Sequence, residues 1–160
     1  MKQTELVLNE LTTMGFEPVE LGDLGYIFQY EEVNYLYMPD DEDEYFLRIV
    51  IPGIFDITDE NRVAALEAMH ETELIMKYAK MCIMMQDTVW AVYEHRLNSS
   101  DNLTEMLEHI IRVLDATVNV FNMKINGEEV VLRSDESEDD SLEADLRKLL
   151  EGVDEQEIEK

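Results

Sequence analysis

The sequence predicts an α+β fold: an antiparallel five-stranded sheet with helices packed on it, in the order α-β-β-β-α-β-β-α. Three observations predict it. Five runs between residues 24 and 97 carry aromatic and β-branched side chains at period two, the spacing of a half-buried strand. Amphipathic stretches with a helical period lie before, between and after those runs. The chain has 160 residues, 46% of them hydrophobic, which is enough for one ordinary domain with its own core.

The first helix is expected over residues 4–14, where Val7, Leu11 and Met14 fall at i, i+4 and i+7. Gly15 suits the left-handed residue after a helix end, and Pro18 prevents continuation. Three strands follow. In residues 24–30, Leu24, Tyr26, Phe28 and Tyr30 alternate with Gly25, Ile27 and Gln29. In 33–38, Val33, Tyr35 and Tyr37 oppose Asn34, Leu36 and Met38, and in 45–51, Tyr45, Leu47, Ile49 and Ile51 oppose Phe46, Arg48 and Val50. Glu31-Glu32 reads as a tight hairpin without the usual Asn-Gly, and Pro52-Gly53 as the end of the meander.

Thr58 is placed to cap a helix running to about Leu74, with Asp59 and Glu60 in its first turn. Val63, Leu66 and His70 or Met69 define one face of it. Strands at 78–85 and 88–97 turn at Gln86-Asp87, the second alternating Val89, Ala91 and Tyr93 against Trp90, Val92 and Glu94. The clearest element comes last. Leu103, Met106, Leu107, Ile110, Ile111, Leu114, Thr117, Val118 and Phe121 keep a helical stripe for five turns, and such a stripe must pack on the sheet. Residues 1–126 thus form the expected domain. Residues 127–160 read as an acidic serine-rich linker and a short amphipathic helix carrying Leu142, Leu146, Leu149 and Leu150.

Charge narrows the function. With 38 acidic and 12 basic residues the net charge is −26, which repels nucleic acid phosphates and anionic lipid surfaces. Partners should be neutral or basic. Cys82 is the only cysteine, so no internal disulfide can form and a reducing compartment is the simplest setting. No leader segment and no apolar run of spanning length is visible, so a soluble, cytoplasmic protein is expected.

Element order and lengths over about residues 2–123 resemble the YbjN-like family, a branch of the type III secretion chaperone-like fold. The resemblance rests on the first helix, on Asn34-Tyr35-Leu36-Tyr37-Met38, and on Leu47-Arg48-Ile49-Val50-Ile51-Pro52. The middle helix, the hairpin from Ala79 to Tyr93 and the long last helix complete it. It implies a cytoplasmic homodimer that holds another polypeptide over apolar surface and performs no catalysis.

Candidate contacts for such a partner are Tyr26, Phe28, Tyr35, Tyr37, Met84 and Trp90, because aromatic and Met side chains give adaptable contact area. One sheet face would stay partly open for them. The competing expectation buries these aromatics at a dimer interface or under the C-terminal helix, and fills the core with Met81, Met84 and Met85. The acidic run at 40–44 lacks the spacing of a calcium loop and reads as a solvated hairpin tip. His70, His95 and His109 are far apart in sequence, and Cys82 sits in an apolar strand. Glu71, Glu73 and Glu94 carry no information as acid–base pairs among 38 carboxylates. No enzyme, metal or cofactor is expected. The alternative to a client-holding adaptor is an acidic mimic or inhibitor that occupies a basic site on another protein.

Overall fold

The computed structural model describes residues 2–128. Helix α1 spans Gln3–Thr13, and its buried Val7 and Leu11 face the sheet. The chain leaves α1 through Gly15 at φ +96°, where the Phe16 amide donates back to the Leu11 carbonyl.

Among the described residues six strands form one antiparallel sheet, not five. They are β1 (Val19–Leu21), β2 (Gly25–Tyr30), β3 (Val33–Tyr37), β4 (Phe46–Asp56), β5 (Ala79–Met84) and β6 (Thr88–Arg96), arranged β1-β2-β3-β4-β6-β5. Four strands therefore precede the middle helix where three were expected. The extra strand is β1, three exposed residues whose backbone pairs with β2, Val19 opposite Ile27 and Leu21 opposite Gly25. All three side chains are exposed, so no burial pattern marks the strand and only the ladder reveals it.

The Glu31-Glu32 hairpin is as tight as expected. Both residues take the left-handed conformation, φ 48° and 66°, and Tyr30 faces Val33 across the turn. That is the two-residue geometry in which Asn-Gly is usual. Pro52-Gly53 does not end β4. It lies in an irregularity between Ile51, opposite Ala91, and Phe55, opposite Val89, after which the strand resumes to Asp56. Proline is tolerated at such a bulge because its missing N–H is not needed by the ladder.

Helix α2 spans Arg62–Ile75 with Asn61 at its N-cap position, so it starts three residues later than Thr58 would place it. Thr58 and Asn61 instead close a small turn: the Thr58 amide donates to Asn61 Oδ1 at 2.7 Å, and the Asn61 amide to Thr58 Oγ1 at 3.3 Å. Helix α3, Leu103–Ile125, is capped by Asn102, whose Oδ1 accepts from the Glu105 amide at 3.3 Å.

The three α-helices of the described residues lie against one face of the sheet. Phe28, Tyr35, Tyr37, Leu47, Ile49, Ile51, Ala91 and Tyr93 meet α1 and the Leu107, Ile110, Ile111 and Leu114 stripe of α3. Thr104 Oγ1 donates to Glu10 Oε1 and ties α3 to α1. Alongside, Ala65, Ala68 and Met69 of α2 meet Met81, Val89 and Phe121. The linker and short helix expected beyond Gly127 lie outside the described residues, Glu128 apart.

Candidate protein-binding site

The six expected contacts do not share a surface. Tyr26, Phe28, Tyr35 and Tyr37 turn toward the helices, while Met84 and Trp90 stand on the opposite face. Phe28, Tyr35 and Tyr37 are fully buried, with the Phe28 and Tyr35 rings stacked at 5.4 Å. Burial, with the Asp115 charge behind it, pushes the Tyr35 phenol well above its ordinary range, and its hydroxyl donates to the Ile111 carbonyl at 3.5 Å. These aromatics are core, and as folded they offer a partner nothing. Alternation marked the buried face of the strands rather than an open one.

On the opposite face Leu36, Val50, Trp90 and Val92 are buried, packed about by Leu24, Ile27, Met38, Cys82 and Met84. Glu94 rims this cluster, held by Arg48 Nε at 3.1 Å and Lys80 Nζ at 2.8 Å. Burial works to raise the Glu94 carboxyl, and Lys80 and Arg48 outweigh it, leaving the group below its ordinary range. Trp90 Nε1 donates to Thr88 Oγ1 at 2.8 Å, so its polar atom is already satisfied.

Three of the exposed large apolar side chains share α2. The face that Val63 and Leu66 define in the sequence is turned outward: Val63 is 68% exposed, Leu66 46% and Leu74 73%. The residues turned inward are Ala65, Ala68, Met69 and Thr72. Small side chains let α2 approach α3 and β5 closely, and the Thr72 hydroxyl donates to the Ala68 carbonyl at 2.6 Å rather than going unpaired. Polar clamps fix the rotation of the helix. Lys124 Nζ reaches Glu71 at 3.6 Å, Arg62 reaches Asp87 at 3.7 Å, and Glu73 Oε1 accepts from the Met81 amide at 2.7 Å. Val63, Leu66, His70 and Leu74, at i, i+3, i+7 and i+11, are left as one outward stripe.

Helix α2 is therefore apolar on two sides, and the bulkier side faces out. Hydrophobicity alone selects the wrong one. The signal in the sequence was the second, finer stripe of small residues, Ala65-Ala68-Thr72.

His95 and His109 also come together. With Tyr78, Tyr93 and Asp101 they line a shallow cleft, where His95 Nε2 lies 3.4 Å from Asp101 Oδ2 and the His109 ring meets Tyr78 at 5.0 Å. His70 is remote from them on the α2 stripe. In the 40–44 loop, Asp40 accepts from the Glu42 amide and Asp43 from the Tyr45 amide, so two of its carboxylates serve the turn itself. Among the described residues no group of three or more His, Cys, Asp or Glu is placed to hold a metal ion, and no helix is long and apolar enough to cross a membrane.

No family model matches the sequence, and neither does any curated protein. Solved structures do match the fold. The crystal structure of YbjN, a proposed transcription regulator from E. coli, superposes with a TM-score of 0.55 at 8% identity, covering 77% of this chain and 90% of that one. An uncharacterized protein from Methanothermobacter thermautotrophicus superposes at 0.54 with 14% identity, covering 79% and 99%. The chain has a YbjN-like fold.

Proposed function

We propose that this chain is a non-enzymatic, polypeptide-binding domain and that its client docks on the outer face of α2. One observation carries the reading: Val63, Leu66 and Leu74 are held outward by a helix whose inner face is already packed through Ala65, Ala68, Met69 and Thr72. Each bulky aliphatic side chain left in water forgoes about 1.5–3 kcal/mol of burial, which a docking partner would recover. The net charge of −26 argues against direct nucleic acid contact and supports steering toward a neutral or basic client. A single cysteine and the absence of a disulfide suit work in a reducing cytoplasm.

The test is a photo-reactive amino acid at position 66 or 74, irradiated in the native cell. A discrete polypeptide adduct is expected there, lost when the neighbouring stripe residue is changed to Gln. Absence of adducts from both positions would remove the docking face.

The same charge favours a second reading, an acidic mimic that occupies a basic site. Capture by that route would fall with salt and ignore Leu66→Gln and Leu74→Gln, whereas apolar docking responds to both substitutions.

A further inference from the structure

We infer that the occupant of the α2 outer face is a basic amphipathic helix of another protein. This rests on the docking reading above and specifies its partner. Val63 to Leu74 spans about 16 Å along the axis at ~1.5 Å per residue, three turns of helix. An apolar seam on a helix is matched by a second helix, whose ridges fit between its side chains. An extended strand would instead need free backbone groups at a sheet edge, and the interior of a helix offers none.

Charge decides between a foreign helix and a second copy. Glu67 and Glu71 border the seam on one side and Glu73 on the other. Glu71 and Glu73 have partners, Lys124 and the Met81 amide, while Glu67 has no ion pair among the described residues. Asp59 and Glu60 precede the helix, also without ion pairs among the described residues. Two copies packed antiparallel through the seam would bring Glu67 and Glu71 of each close to those of the other, on chains of net charge −26. A helix with Lys or Arg flanking its apolar face meets complementary charge instead. His70 stands in the middle of the seam and gives the partner one polar contact by which to set register.

The test uses the full-length protein and a fluorescein-labelled peptide of about 18 residues, Leu on one helical face and Lys elsewhere, followed by anisotropy at physiological salt. Two controls share its length: one with the same residues scrambled off the single face, one with Glu for Lys. The amphipathic Lys peptide should bind at least roughly tenfold tighter than either. Leu66→Gln with Leu74→Gln should weaken it by a similar factor, and Leu6→Gln, an exposed leucine on α1, should leave it unchanged. Circular dichroism verifies that each variant is folded. Equal binding of the scrambled peptide, or indifference to Leu66→Gln with Leu74→Gln, would overturn the inference. So would a dimer, seen by light scattering, that those two substitutions dissolve, because the occupant would then be a second copy. Photo-adducts on α2 without peptide binding would refute only the partner's chemistry; loss of both would refute the docking face as well.

Discussion

Gly25 lies so close to Tyr37 that a Cβ on the glycine would stand 2.0 Å from the Tyr37 carbonyl oxygen. Its φ of +138° is also one that side chains disfavour. This contact lets β2 begin beside the end of β3 directly after a helical turn, with Tyr26 facing Tyr37. Gly25→Ala is expected to destabilise by more than about 4 kcal/mol, a backbone clash rather than a lost contact. Gly22→Ala, with nothing near its Cβ, should cost no more than about 1–2 kcal/mol for its left-handed φ. Urea denaturation of the pair measures the difference.

The Glu31-Glu32 turn invites improvement. Both residues hold left-handed backbone that Asn and Gly adopt with less strain, and Glu31 is the main cause of the raised Tyr30 phenol pKa. Replacing the pair by Asn-Gly should raise stability by about 1 kcal/mol and bring Tyr30 back toward its ordinary value, read by spectrophotometric titration.

Asp115 carries a pH dependence of known sign. Burial first, then the charge of Glu31, hold its carboxyl above the ordinary range. The folded state binds that proton more tightly than the unfolded chain, so this group's contribution to stability falls as pH rises from the unfolded value through the folded one. Asp115→Asn should raise Tm at about pH 7 and lose that advantage below pH ~3, under the unfolded carboxyl pKa of about 3.9. Thermal melts at the two pH values decide it.

The two sides of α2 should respond oppositely to substitution. Ala68→Leu overfills the contact with α3 and should destabilise by about 1–3 kcal/mol. Leu74→Gln, at an outward position, should change stability by no more than about 0.5 kcal/mol.

Much of the fold was legible because side-chain period tracks burial. The α3 stripe from Leu107 to Phe121 and the alternation of Val89, Ala91 and Tyr93 both face the core they were expected to face. What escaped has physical reasons. Strand β1 is held by backbone pairing with no buried side chain to advertise it. Pro52-Gly53 carries signals shared by a strand end and a bulge, and only the partner strand β6 distinguishes them. The orientation of α2 turns on side-chain size, since Ala68 permits an approach that Leu66 would block. The expected contacts at Phe28, Tyr35 and Tyr37 failed as a surface because strong alternation of large aromatics marks a core face.

Maleimide labelling in a Cys82→Ser background tests the orientation of α2 most directly. Leu74→Cys should react in the purified protein nearly as fast as a free thiol and become protected in cells where a client is present, while Ala68→Cys stays protected in both. Rapid labelling at 68 with protection at 74 in the purified protein would mean that α2 buries its bulky face, and the docking surface would not exist.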